Sequence, residues 1–408
     1  MGLDKIKIKL TEKIEILEKE GRLKGVEKII CGIKPPENGY GIRFLLKGFG
    51  DKEFLRMNSN SYLGLCFHPE VIKAEEEAAK KYGTGPGAVR FISGTFEPHI
   101  MLEDKLAEFH KREAAMIFSS AYSAVLGILP SLITEDTIVI SDELNHNCII
   151  KAIGLSKPLR KKIYPHLSAI ELNRILVKNA GKAKRAVVVT DGVFSMRGDH
   201  TPLDKISEIC REHESSYEEG VITIADDSHG IGAFGKTGRG TEEITSTRVD
   251  ILAATLGKAL GVNGGYIVSD KKVIEYFRET AALYIYSNSI TASESAAALK
   301  ALEILDSSEG IETLENLRKM TMKLKEGLES IKLETLPGRH PIVPLLLRDT
   351  KRTKKLVQFL FENGILATGL SFPVVPKGEE EIRFQVSASH TEKDIDYLIE
   401  ILHRWKTQ

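Results

Sequence analysis

Lys258 stands in TLGKALG (255–261), flanked by small residues and placed directly after the apolar run ILAAT (251–255). A lysine there lets a ligand approach closely and can form a Schiff base with a carbonyl. About thirty residues earlier, DDSHG follows another apolar run, VITIA (221–225), and sets the carboxylate of Asp226 three residues before the imidazole of His229. A pyridine-ring cofactor needs an anion beside its ring nitrogen to act as an electron sink. Alone, DDSH also fits a metal site or a solvated turn, and a lone lysine after a strand is usually a surface lysine. Together they point to a lysine-linked pyridine cofactor.

The elements that must position these groups are legible as short apolar runs alternating with helical patterns, the mark of an α/β fold. Runs at 137–140 (TIVI), 185–190 (RAVVVT), 221–225, 251–255 and 266–268 (YIV) read as buried strands of a mostly parallel sheet. Four of them are followed by SDELNHN, DGVFSM, DDSHG and LGKALG. Ligands in open α/β sheets bind beyond the carboxyl ends of strands, so the four ends converge on one expected site. Ile6, Leu10, Ile14 and Leu17 recur at helical spacing, which predicts an amphipathic helix ending at Gly21 whose apolar stripe must dock on something. From about Asp306 the pattern changes to a helix at 314–331, a strand at 341–347, a helix at 353–362, strands at 365–367 and 382–387, and a terminal helix to Trp405. The expected division is an N-terminal helix and arm (1–55), a large cofactor-binding domain (56–305) and a smaller α+β domain (306–408).

Lys+Arg and Asp+Glu are equal at 57 each, so no global field favours nucleic acid or an anionic membrane. The 42% hydrophobic and 28% charged residues are those of a soluble globular chain that takes small ligands. Cys31, Cys66, Cys148 and Cys210 form no C-x-x-C pair, which argues against zinc and a disulfide framework and for the cytoplasm. No metal is expected. No apolar run approaches the ~20 residues of a membrane span.

The motifs NSYLGL (60–65), VRFISGT (89–95), LNHNCII (144–150), TDGVFSM (190–196), ADDSHG (225–230), TLGKALG (255–261), PVVPKG (373–378) and IRFQVSASHT (382–391) occur in one order over nearly the whole chain. The chain thereby resembles the α-oxoamine synthases, fold-type I enzymes that use pyridoxal 5'-phosphate (PLP). VRFISGT, PVVPKG and IRFQVSASHT look most like the glycine C-acetyltransferase (2-amino-3-ketobutyrate CoA ligase) branch. The resemblance implies a large domain with a mostly parallel seven-stranded sheet flanked by helices, and a homodimer that shares its active sites.

Position by position, it implies that Lys258 holds the cofactor, Asp226 pairs with the ring nitrogen and His229 bonds the ring's phenolic oxygen. His146 would stack on the ring and donate to the developing oxyanion, and Ser195 would share the edge of His229. Ser120, Ala121, Tyr122 and Thr255 would hold the phosphate, a task that suits a helix N-terminus. Ser287 and Asn288 would reach the neighbouring subunit's phosphate. Arg383 would clamp the amino acid's carboxylate, as a planar bidentate donor can, and Asn60 would line the substrate site. His99 and His390 read as structural. The expected reaction joins glycine to acetyl-CoA, with Lys258 as base, to give 2-amino-3-oxobutanoate and CoA. The alternatives are another α-oxoamine synthase of the 8-amino-7-oxononanoate or serine palmitoyltransferase type, a different PLP reaction, and a non-catalytic regulatory subunit, against which the presence of Lys258 speaks.

Three positions depart from the family pattern. VNGGY after TLGKALG is one residue short, Val125 replaces a common Asn, and Arg197 stands where an acidic residue is common. A positive charge at 197 would favour a phosphate-bearing acyl donor.

Overall fold

A computed structural model describes residues 2–407 except 21, 24 and 373. Its first element is the helix Gly2–Lys19; Gly21, where the sequence predicts the helix end, lies outside the described residues. None of its residues is buried, and Leu3, Ile6, Leu10 and Ile14 are exposed. Leu17 alone is half-buried, so most of the apolar stripe is left uncovered among the described residues of this chain. Three strands follow as an antiparallel meander: β1 (Ile30–Lys34), β2 (Arg43–Leu46) and β3 (Glu53–Arg56).

The core sits on either side of a seven-stranded sheet built from β4 (Ala114–Phe118), β5 (Thr137–Asp142), β6 (Arg160–Tyr164), β7 (Arg185–Asp191), β8 (Val221–Asp226), β9 (Ile251–Thr255) and β10 (Gly265–Ser269). Their order is β4-β10-β9-β8-β7-β5-β6, with β10 antiparallel to both its neighbours and every other pair parallel. Residues of β5 and β10 are buried throughout, as their continuous apolar runs require of strands covered on both faces. Two strands escaped the residue patterns. RKKIY of β6 is a charged edge strand with one buried residue, and charge is how edges are protected. AAMIF of β4 is short and alanine-rich and follows closely on the helix Glu97–His110.

The C-terminal segment contains β11 (Ile342–Leu346), β12 (Ile365–Leu366), β13 (Thr368–Leu370) and β14 (Glu381–Gln385). β11, β14 and β13 form an antiparallel sheet covered by the helices Ser308–Ser330 and Thr350–Glu362, and the helix Glu392–Lys406 packs on both of these. The first of these helices begins six residues before its expected start, because Ser307 caps it by accepting from the Gly310 N–H. β12 leaves this sheet and pairs in parallel with β3, so the meander and the C-terminal segment share one four-stranded sheet.

Candidate active site

The carboxyl ends of β4, β5, β7, β8 and β9 open on one cavity of about 210 Å³. The loop after β4 supplies Ser120, Ala121 and Tyr122, and that after β5 supplies His146 and Cys148. β7 and its loop bring Asp191, Val193 and Ser195; β8 and its loop bring Asp226, Ser228 and His229; β9 and its loop bring Thr255 and Lys258. All four strand ends singled out in the sequence thus meet, together with a fifth.

Lys258 loses solvation in this cavity, which pushes its amine down to about 8 despite the opposing fields of Asp226 and Asp191. Those two carboxylates are side by side, since Asp191 and Asp226 are in register on β7 and β8. Asp226 accepts from the Ser228 N–H at 3.1 Å and from the Cys148 thiol at 3.5 Å. Asp191 accepts from the His146 N–H at 3.0 Å; burial and then the neighbouring Asp226 hold its carboxyl well above the usual range. His229 is buried, and desolvation followed by the charge of Lys258 keeps its imidazole neutral. Its Nδ1 lies 2.8 Å from the Tyr62 hydroxyl, which can donate to it and leave Nε2–H aimed elsewhere. His340 Nε2 donates to the His229 carbonyl at 2.8 Å. Desolvation also lowers the titration of His146, whose ring caps the helix Asn147–Leu155.

The helix Ala121–Leu132 starts at the cavity with Ser120 as its cap. The N–H groups of Ala121 and Tyr122 open the helix and have no intrahelical acceptor. Gly265 on β10 lets this turn approach, because a Cβ there would meet the Ala121 nitrogen at 2.0 Å. Thr255 Oγ donates to the Gly264 carbonyl at 3.1 Å and accepts from the Gly257 N–H at 3.0 Å. The shortened VNGGY loop folds back on β9 through a Leu256 N–H bond to the Gly264 carbonyl, and Lys258 still lines the cavity.

The donor set fits a phosphorylated pyridine aldehyde. A helix N-terminus, two carboxylates and an amine line one cavity, while Asp191 Oδ1 and Ser228 Oγ are buried without a hydrogen-bond partner. His146, Cys148 and Asp226 also bring ligand-capable atoms within 4.8 Å of one another, a cluster that cysteine spacing does not reveal. All three belong to the cofactor cavity.

Four sequence-derived positions lie outside that cavity. Arg383 on β14 reaches its wall by donating to the Ser195 carbonyl at 2.7 Å. The side-chain amide of Asn60 hydrogen-bonds that of Gln385, and its oxygen lies 3.4 Å from the Tyr62 hydroxyl. Ser287 and Asn288 follow the helix Ala282–Ile285 and do not line the cavity of their own chain, and the adjacent Tyr286 is 80% exposed. His99 is buried and bonds the Ile290 carbonyl, and His390 spans the Ser387 N–H and the Arg56 carbonyl. The sequence reading passed over Tyr62, Cys148, Asp191 and Ser228, although Asp191 obeys the same strand-end rule as Asp226. Arg197 pairs with Asp199 at 3.0 Å and Glu379 at 3.2 Å, so its charge is already engaged.

A lysine, a carboxylate pair and a helix N-terminus at the carboxyl edge of this sheet define a pyridoxal-phosphate enzyme. Residues 52–402 match the family Aminotransferase class I and II. The chain belongs to that family and, within it, to the α-oxoamine synthases, and its cofactor is PLP. It is 39% identical to an 8-amino-7-oxononanoate synthase of Bacillus pumilus over 86% of this chain and 88% of the relative. Further relatives of that description lie at 36 to 39%. A mitochondrial 2-amino-3-ketobutyrate coenzyme A ligase of Bos taurus is 39% identical over 84% of this chain and 80% of its own length. Among solved structures, a serine palmitoyltransferase of S. paucimobilis with PLP and myriocin bound superposes with a TM-score of 0.87 at 26% identity, covering 97% of this chain and 96% of the other.

Proposed function

We propose that this chain is an α-oxoamine synthase that condenses a small amino acid with an acyl-CoA longer than acetyl-CoA. The observation that carries the longer donor is a second cavity of about 500 Å³, walled by Ser195 in common with the cofactor cavity and far larger than an acetyl group fills. The number of relatives described as 8-amino-7-oxononanoate synthases, whose named product has a long carbon chain, supports a donor longer than the acetyl-CoA expected from the motifs. Glycine with acetyl-CoA is the second reading, favoured by the 39% identity to the bovine ligase.

When bound, PLP supplies an electron sink that acidifies the Cα–H of the amino acid. Arg383 fixes the amino acid's carboxylate, and its bond to the Ser195 carbonyl holds the guanidinium at the cavity wall. Lys258, with an amine near neutrality, takes the Cα proton. Asp226 would pair with the ring nitrogen of the bound cofactor. His146 donates to the oxygen of the thioester carbonyl as charge develops there. A C–C bond forms between Cα and the acyl carbonyl carbon, the C–S bond breaks, and the CoA thiolate leaves and takes a proton. The site is completed across a homodimer by Ser287 and Asn288 of a second copy, in the cytoplasm.

The test is thiol release by the PLP-loaded protein with glycine, alanine or serine and acyl-CoAs of increasing length. Release strongest beyond acetyl-CoA, and lost in Lys258→Ala, supports the reading. Release confined to acetyl-CoA returns the protein to the acetyltransferase branch, and no release with any donor removes acyl transfer.

A further inference from the structure

Glu381 lies on β14, two residues before Arg383 and on the same face of the strand. It lines the 500 Å³ chamber that adjoins the cofactor cavity at Ser195, yet it is only 3% exposed. Its Oε1 is buried with no hydrogen-bond partner. A buried carboxyl left unmatched is destabilising, so a partner from outside the protein is the natural complement. Burial pushes the group up to about 8, with Arg383 and Arg197 pulling the other way, so at neutral pH it can donate a hydrogen bond as well as accept one.

The rest of the chamber limits what that partner is. Its cations are engaged: Arg197 by Asp199 and Glu379, Arg348 by Glu334, and His166 by Asp142 and Asp199. Glu143 accepts from the His166 N–H at 2.8 Å, and Glu379 is held by Arg197. Among the described lining residues, an anionic chain end meets carboxyl groups and no unengaged cation. The other walls, Leu144, Phe194, Met196, Leu346 and Val375, are apolar and suit methylene groups.

We propose that this chamber receives the acyl chain of the donor and that Glu381 selects chains carrying an uncharged hydrogen-bonding group, such as a hydroxyl, over alkyl or carboxylate-ended chains. This rests on the acyl-CoA reading above and adds a substrate class to it. Glu381 is a specificity determinant and takes no part in bond making.

The PLP-loaded full chain is tested with hexanoyl-CoA, 6-hydroxyhexanoyl-CoA and the mono-CoA thioester of hexanedioic acid, by thiol release and by calorimetric binding. The wild type is expected to favour the hydroxy thioester by about tenfold or more in both measurements. Glu381→Leu should abolish that margin, whereas Glu381→Gln, which keeps a donor and an acceptor, should retain most of it. Preference for the diacid thioester, equal use of all three, or a margin that survives Glu381→Leu overturns the proposal. Binding preference without thiol release from any donor sinks acyl transfer and leaves the chamber assignment standing. No binding of any thioester sinks both.

Discussion

Lys258 carries the most chemistry and was the most legible residue, because small neighbours after an apolar run are a local pattern. What the pattern could not give is its environment. Desolvation pushes the amine down to about 8, and only folding creates that burial. The neutral amine is the form that attacks an aldehyde, so capture of PLP by the cofactor-free protein should accelerate close to tenfold per pH unit below pH 8 and level off above it. Stopped-flow growth of the near-visible absorption band checks this. A rate that still climbs close to tenfold per unit between pH 8 and 10 would place the amine outside the desolvated cavity. Tyr62, Cys148 and Ser228 stayed hidden for a related reason. Their types are commonplace, and only the meeting of distant segments aims them at the cofactor cavity or at His229.

At the scale of elements, strand ends were readable from apolar runs, but what fixes the loops after them was not. Asp227, fully buried next to Asp226, accepts from the Thr241 N–H at 2.6 Å and the Thr241 hydroxyl at 2.7 Å. A Cβ at Gly192, Gly230 or Gly240 would come within 2.0 to 2.2 Å of its carboxylate oxygens. One carboxylate therefore pins the loops after β7 and β8 to the helix Gly240–Thr245. In the sequence, DD offers no hint of which aspartate faces ligand and which faces protein. Burial pushes Asp227 up to about 7, against the two Thr241 bonds. The folded protein thus holds a proton that the unfolded chain, with an aspartate near ~3.9, has released. This stabilisation is complete below pH ~4 and disappears as pH rises to about 7, at up to ~1.4 kcal/mol per pH unit. Urea melts from pH 4.5 to 8 should show that slope in the wild type. Asp227→Asn should show a shallower slope, the remainder coming from Asp191 and Glu381, while losing about 1–3 kcal/mol overall, since its NH₂ faces a donor. Parallel curves would mean that Asp227 has the same charge folded and unfolded.

For the whole molecule, the fold class followed from alternating runs and motif order, and the seven-stranded sheet agrees with what the family resemblance implied. β6 was lost because an edge strand has no apolar signature, and the pairing of β12 with β3 because parallel contacts across three hundred residues leave no local trace. The helix Gly2–Lys19 has the opposite character: it was plain in the sequence, yet none of its residues is buried among the described residues. Phe91 and Ile92, 66% and 67% exposed, and Tyr286 beside Ser287 add further uncovered apolar surface. Light scattering should therefore report twice the 45.2 kDa chain mass. Replacing Ile6 and Ile14 by Glu should shift the protein toward monomer and lower its affinity for PLP, if Ser287 and Asn288 act across the pair. A monomeric wild type with full PLP affinity would remove the shared site.

The sheet that joins β3 to β12 has a bearing on how the protein comes into being. Met57 accepts from the Gln385 N–H at 2.9 Å, and Ala388 donates to the Tyr62 carbonyl at 2.7 Å, so the amino-acid side of the cleft is stitched from the beginning and end of the chain. The strands that frame the cofactor cavity have all been translated by Ser269, whereas Arg383 follows more than a hundred residues later. Birth order thus separates the two halves of the site: a growing polypeptide contains the lysine proposed to hold the cofactor well before it contains the arginine proposed to clamp the carboxylate.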